Sequence, residues 1–279
     1  MSGILCLVPT PIGNLSDISP HCRQALAEAD FIAAEDTRVT LRLLNHLELK
    51  KPLVSYYEHN KAFSGQRVLE RILAGESCAL VSDAGSPAIS DPGEDLVRLC
   101  AENGVTVTAV AGPCAAITAL SISGLPTGRF TFEGFLSTAK KSRAAHLKAL
   151  RAETRTMIFY EAPHKLTATL SDLCECFGAQ RRISLCRELT KLHEEVLRMT
   201  LGEAVEYYVN QAPRGEFVLI VEGAPEEAEE TVTQEDGVAQ ALALVARGFS
   251  KKDAVKEVAK ATGLAKNALY EAVLRASDT

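Results

Sequence analysis

The sequence predicts an α/β protein, with two successive α/β units followed by a small helical module. Three observations carry this reading. Over roughly the first 120 residues, short apolar runs alternate with segments whose apolar residues recur at helical spacing. Beyond about residue 124 the strand-like runs lengthen and become richer in Phe, Tyr and Thr. From residue 237 only helical spacing remains. A length of 279 residues with 47% hydrophobic and 24% charged side chains suits a soluble chain that buries more than one core.

Taken in order, Ile4 to Val8 is an apolar run closed by Pro9-Thr10-Pro11-Ile12-Gly13-Asn14, where proline and glycine impose a loop. Residues 17–29 carry Ile18, Cys22, Leu26 and Ala29 on one helical face. Phe31 to Ala34 is the next buried strand, ending in Glu35-Asp36-Thr37-Arg38. A helix over about 39–47, a strand at Leu53 to Tyr57 and a helix near 62–74 that stops at Gly75 follow. Cys78 to Val81 leads into Ser82-Asp83-Ala84-Gly85-Ser86-Pro87. A helix near 93–103 and a strand at Val105 to Val110 precede the turn Ala111-Gly112-Pro113-Cys114. Strands this apolar belong in a mostly parallel sheet covered on both faces, with ligands at the strand carboxyl ends.

Gly124 to Arg129 reads as a link, which sets the first domain at 1–123 and the second at 124–223. Strands of the second are predicted at Phe130 to Phe135, Thr156 to Tyr160, Arg182 to Arg187, Glu194 to Thr200 and Glu216 to Glu222, in a mixed sheet. Its helices are predicted near 164–177 and 202–210. Residues 224–236 are an acidic connector containing Pro225. In the module at 234–279, Ser250 is an N-cap with Asp253 three residues on in a capping-box pattern, and Gly263 ends that helix.

Several function classes are excluded. No G-x-G-x-x-G follows the first strand, and G-x-x-x-x-G-K-[ST], G-x-S-x-G and H-E-x-x-H are all missing. The eight cysteines show no C-x-x-C pair and read as reduced thiols, so no metal is expected. No apolar run approaches the ~18 residues of a membrane span, and the first residues lack a basic leader, so a cytoplasmic location is expected.

What remains are three small, rigid, nearly uncharged loops at successive strand ends: Pro9 to Leu15, Ser82 to Gly93 and Gly112 to Ala116. Proline fixes φ and glycine admits close approach, so such loops hold a small molecule through backbone groups. With Ala33-Ala34-Glu35-Asp36-Thr37-Arg38, Phe159-Tyr160-Glu161-Ala162-Pro163-His164 and Arg187-Glu188-Leu189-Thr190-Lys191, these segments resemble the tetrapyrrole methylase superfamily. In detail the chain resembles its ribosomal RNA small subunit methyltransferase I branch. The resemblance implies two α/β domains with S-adenosylmethionine in the cleft between them, usually in a homodimer. It implies 2′-O-methylation of a cytidine ribose in the decoding region of small-subunit (16S) rRNA. Carried over by position, the cofactor contacts are Ile12, Ala84, Gly85, Ser86, Ile89, Cys114, Ala115, Tyr160, Glu161 and Leu189. The first loop departs from the superfamily's Gly-rich form ending in Asp, which favours the rRNA branch.

The chemical candidates are Glu35, Asp36 and Arg38 at a strand end, and His59 in Tyr57-Glu58-His59-Asn60-Lys61. Methyl transfer to a hydroxyl needs positioning and a proton acceptor, either a carboxylate or His59. Asp36 or Thr37 is equally suited to cap the following helix. Residues 140–155 hold Lys140, Lys141, Arg143, Lys148, Arg151 and Arg155 against Glu153 alone, which suits RNA phosphates or a solvated helix face. Residues 247–275 carry seven Lys/Arg and three Asp/Glu in a chain of net charge −6. They read as a helix-turn-helix, with Lys266 and Asn267 as exposed readers, or as a plain three-helix module. The two competing functions are tetrapyrrole C-methylation and a non-catalytic, ligand-sensing DNA-binding regulator.

Overall fold

The computed structural model describes residues 2–225 and 233–277. The described chain divides into two compact units, with the break after Ala224. The acidic connector expected over 224–236 lies mostly at 226–232, outside the described residues.

In the first unit, β1 (Ile4–Leu7), β2 (Phe31–Ala34), β3 (Leu53–Ser55), β4 (Cys78–Val81) and β5 (Thr106–Ala109) form a sheet in the order β3-β2-β4-β1-β5. Every pairing in it is parallel. The side-chain period of two sends Phe31, Ala33 and Leu80 to one face and Ile32, Ala34, Ala79 and Val81 to the other. The first face packs on α3 (Lys61–Leu73) and α4 (Glu94–Glu102) through Val68, Ile72 and Leu96; the second packs on α1 (Pro20–Glu28) and α2 (Thr37–His46) through Leu26, Leu43 and Leu44. Leu26, Ile72 and Leu96 are fully buried, each burial contributing about 2 kcal/mol. The expected parallel sheet is therefore present, covered on both faces.

The second sheet holds β6 (Phe130–Phe135), β7 (Thr156–Glu161), β8 (Arg182–Arg187), β9 (Glu195–Thr200) and β10 (Phe217–Val221) in the order β6-β7-β10-β8-β9. β6 runs parallel to β7 and the other pairings are antiparallel, so the sheet is mixed as predicted. One face is covered by α6 (Lys140–Ala149), α7 (Pro163–Phe177) and α8 (Leu201–Val209). The other is covered by α5 (Ala115–Ile122), whose Ala116, Ala119 and Leu120 pack on Ile158, Val218 and Ile220. Sequence pattern missed α5 because its eight residues, AAITALSI, have no charged face and little periodic contrast. Although α5 follows β5 directly, its buried side is spent on the second sheet. It thereby draws both sheets into one unit.

The second unit contains α9 (Gln234–Ala246), α10 (Lys251–Thr262) and α11 (Lys266–Ser277) around Ala241, Val255, Val258, Leu269 and Val273. Ser250 caps α10 by accepting from Asp253 N at 3.1 Å, while the Asp253 carboxylate takes the Ser250 hydroxyl rather than a backbone N–H, half of the box expected. Gly263 ends α10 at φ +73°, a left-handed conformation that glycine adopts without Cβ strain. Among the described residues no helix is long and apolar enough to cross a membrane.

Because each unit closes its own core, a chain ending at Ala224 is expected to unfold in a single cooperative transition, with a melting temperature within a few degrees of that of the first transition of the whole protein. Circular dichroism against temperature checks this. Loss of cooperativity in the shortened chain would show that the units are not independent.

Candidate active site

The loops that follow β4, β1 and β5 leave three adjacent strands, and backbone and hydroxyl hydrogen bonds lock them together. Thr10 N donates to Gly85 O and Gly85 N to Thr10 O, both at 3.0 Å, joining the first loop to the second. The Thr10 hydroxyl donates to Ser82 O at 3.2 Å, and the Ser86 hydroxyl to Pro113 O at 2.9 Å, which ties in the third. Gly85 has φ +84°, and a Cβ there would stand 3.1 Å from Ile12 Cγ2. Five described non-glycine residues have left-handed φ, and four of them, Ala88, Ser90, Glu188 and Thr190, lie in two loops bordering this region. Strain of this kind, on the order of 1 kcal/mol or more per residue, persists where surrounding structure imposes it, often at functional sites.

Between these loops and the second sheet lies a cavity of about 510 Å³, of the size that holds a cofactor. All ten residues expected to contact the cofactor line it. Ile12, Ala84, Gly85, Ser86 and Ile89 come from the first two loops, Cys114 and Ala115 from the start of α5, and Tyr160, Glu161 and Leu189 from the second sheet's strand ends. The Tyr160 hydroxyl accepts from Ala116 N at 3.1 Å, so it holds the free N-terminal turn of α5 against β7. Glu161 is buried and its carboxylate is fully engaged: it accepts from Ala162 N at 2.9 Å and from the Thr169 hydroxyl. The wall also includes Asp83, Asp91, Phe135, Cys186 and Phe217. Asp91 was legible as the one acid embedded in the Ser86–Gly93 stretch. Cys186 and Phe217 carried no local signal, being ordinary strand residues until the sheets meet.

Of the chemical candidates, only Glu35 lines the cavity. Asp36 is the N-cap of α2, accepting from Arg38 N at 2.8 Å, and its carboxylate is paired with the Arg38 guanidinium at 2.6 Å. This pairing holds Asp36 ionised, with its pKa down at about 2, so it is a poor proton acceptor. His59 is exposed beyond the edge strand β3, edge-on to Tyr57, and is not a cavity residue. Two of the expected catalytic side chains thus form a cap and its ion pair, and a third lies outside the cavity wall.

Burial raises the pKa of the acids at the cavity, and neighbouring acidic charges add to it. Burial pushes Glu35 up, and the charges of Asp91 and Asp83 add to it. Burial also raises Asp83. Asp91 is raised by burial to about 6, against the Ser82 hydroxyl that favours its charged form. A reciprocal clasp joins the β2 and β4 ends, with Asp36 N donating to Asp83 Oδ1 at 3.0 Å and Asp83 N to Glu35 Oε2 at 3.5 Å. Among the described residues, no group of three or more His, Cys, Asp or Glu is arranged to hold a metal ion.

The residues expected to meet RNA are dispersed. Lys140 and Lys148 line a groove of about 900 Å³ between α6 and α7, together with Arg151 and Lys165. Lys141 is exposed beside it. Arg143 lines the same groove but is paired within it: Nε donates to Asp172 at 2.5 Å and Nη2 to Thr169 at 2.9 Å, so it clasps α6 to α7 rather than standing free for phosphate. Lys266 and Asn267 are exposed in the first turn of α11.

The raised pKa of Asp91 has a measurable consequence. A carboxyl that binds its proton more tightly in the folded state destabilises the fold as pH climbs from its unfolded value, 3.8, through about 6. Asp91→Asn is therefore expected to flatten the dependence of melting temperature on pH across that window and to raise the melting temperature at pH 7.5. Parallel pH profiles for both proteins would contradict this.

Comparison with known proteins identifies the family. Residues 5–205 match the family described as Tetrapyrrole (Corrin/Porphyrin) Methylases, and residues 231–277 match the RsmI C-terminal HTH domain. The chain is 48% identical over 274 residues to ribosomal RNA small subunit methyltransferase I of Halalkalibacterium halodurans, covering 96% of this chain and 93% of that one. It is 45% identical over 269 residues to the protein of that name from Synechocystis, covering 96% of each. The crystal structure of uroporphyrin-III C-methyltransferase from Thermus thermophilus complexed with S-adenyl homocysteine superposes with a TM-score of 0.55 at 18% identity, over 79% of this chain and 97% of that one. Its low identity supports the fold alone. With matching family, module and relatives along nearly its whole length, the chain belongs to the ribosomal RNA small subunit methyltransferase I family of tetrapyrrole methylase-fold methyltransferases.

Proposed function

We propose that the protein methylates the 2′-oxygen of a cytidine ribose in the decoding region of small-subunit ribosomal RNA, using S-adenosylmethionine, as a cytoplasmic homodimer. The observation that carries the reading is the single cavity in which all ten expected cofactor residues meet, with Glu35 of the β2 end on its wall. The relatives at 45–48% identity bear an rRNA methyltransferase name. The tetrapyrrole alternative has the superfamily match over residues 5–205 and low-identity structural likeness behind it but no relative at 45–48% identity of that name, and the regulator alternative does not need Glu35 in the cavity.

The cavity suits this cofactor chemically. Its rigid proline and glycine loops present backbone groups, its apolar walls include Ile12, Ile89, Leu189 and Phe217, and its carboxylates favour a cation. S-adenosylmethionine supplies a methyl carbon on a positive sulfur: the new O–C bond forms as the C–S bond breaks, its electron pair staying on sulfur, and the hydroxyl proton must be taken up. Glu35 is the group placed to take that proton. Burial and the charges of Asp91 and Asp83 raise its affinity for one, which matches a base to its task near neutral pH. Asp36 and Arg38 hold the strand end that carries Glu35. Rigid loops supply the rest through positioning, the larger contribution in an in-line displacement.

Two outcomes are expected. Ala84→Trp places a large ring in the cavity from an exposed backbone position. It should weaken S-adenosylmethionine binding by at least about tenfold with an unchanged melting temperature, as read by calorimetry. Unaltered affinity would remove the cavity assignment. Glu35→Gln should keep cofactor affinity within about twofold but lower turnover on unmethylated small ribosomal subunits by about 10²-fold or more. Labelled methyl groups should appear in wild-type reactions as 2′-O-methylcytidine after nuclease digestion. Label on a base, or none in RNA, would overturn the function itself.

A further inference from the structure

We propose that a second cavity, beside the first and separated from it by Asp83, is the chamber that receives the acceptor nucleotide. The inference rests on the methyltransferase reading above and names the place of its RNA substrate. The chamber has a volume of about 310 Å³ and lies between the first loop and α2.

Donor and acceptor must sit in touching spaces, because the reacting atoms of a displacement stand only about 3 Å apart. The geometry distinguishes the candidates. Asp83 lines both this chamber and the cofactor cavity. The basic groove between α6 and α7 shares no lining residue with the cofactor cavity, so it suits distant phosphates and not the reacting ribose. Asp83 in turn is clasped to Glu35 and Asp36 through the two backbone N–H bonds described above. A hydroxyl presented at this partition therefore meets carboxylates on one side and the cofactor cavity on the other.

The chemistry of the walls fits one ribonucleotide. Leu15 and Val39 are apolar and partly exposed, at 47% and 36%, and offer flat contact to a base. Arg42 lines the chamber one helical turn beyond Arg38. Arg38 is held by Asp36, whereas Arg42 has no hydrogen-bond or ion-pair partner among the described residues. A cation left without an internal acid beside such a chamber is suited to a phosphate of the bound strand. The hydroxyls in the wall are already used internally: Thr10 donates to Ser82 O and Thr40 to Asp36 O. The walls are thus preorganised, and the arginine is the group left over for a ligand.

The test uses the full chain, unmethylated small ribosomal subunits and tritiated S-adenosylmethionine. Leu15→Trp and Val39→Trp narrow the chamber from exposed positions, and Arg42→Ala removes the charge. Each is expected to lower kcat/KM for subunits by roughly tenfold to a hundredfold, while the calorimetric Kd for S-adenosylmethionine and the melting temperature stay at wild-type values. Arg42→Ala should also flatten the salt dependence of KM by about one unit of logarithmic slope, with Arg42→Lys restoring it. Wild-type kcat/KM in Leu15→Trp, Val39→Trp and Arg42→Ala would overturn the chamber assignment while leaving the methyltransferase reading intact. Failure of the unmutated enzyme to label subunit RNA would instead overturn both.

Discussion

Two hydrogen bonds between the backbones of Thr10 and Gly85 hold the functional end of this protein together. They turn the ends of β1 and β4 into a small antiparallel bridge on top of a parallel sheet. The bridge requires the left-handed φ of Gly85, and it aligns Ile12 from one loop with Ala84 and Ser86 from the other. Through Ser86 and Pro113 the same brace reaches the start of α5. Once these loops are fixed, little freedom is left to the cavity wall on the first sheet's side.

The second wall depends on α5. Its apolar side, Ala116, Ala119 and Leu120, must be covered, and the first sheet's last connection delivers it onto the second sheet. Tyr160 then receives the N–H of Ala116 that the helix leaves unpaired. A packing demand and a hydrogen-bond demand are met by the same contact, which places the cavity where the two sheets' strand ends converge.

Electrostatics sorts the acids that this architecture crowds together. Asp36, beside Arg38, is stabilised as an anion and serves α2 as its cap. Among the described residues, Glu35, Asp83 and Asp91 form no ion pair with an arginine, and burial raises all three, the Arg38 charge only offsetting part of the rise at Asp83. Neighbouring acids in one short stretch of chain thereby take opposite roles. Arg143 shows the same sorting among the bases of the groove: its engagement with Asp172 and Thr169 makes it a clasp, which Lys140 and Lys148 beside it are not.

The sequence by itself determined the alternation of strands and helices, the parallel first sheet and mixed second one, and the three proline- and glycine-bearing loops, and its family resemblance named ten residues that all line one cavity. These are local or motif properties: residue periodicity sets which face is buried, and ring or missing-Cβ sterics set where the chain must turn. Tertiary structure decided the rest. It alone showed that Asp36 and His59 do not line the cavity, that Cys186 and Phe217 do, and that Arg42 lines a second chamber sharing Asp83 with the first. Proton affinities, pairings and cavities are sums over neighbours distant in sequence, so no stretch of chain states them until the sheets and loops have met.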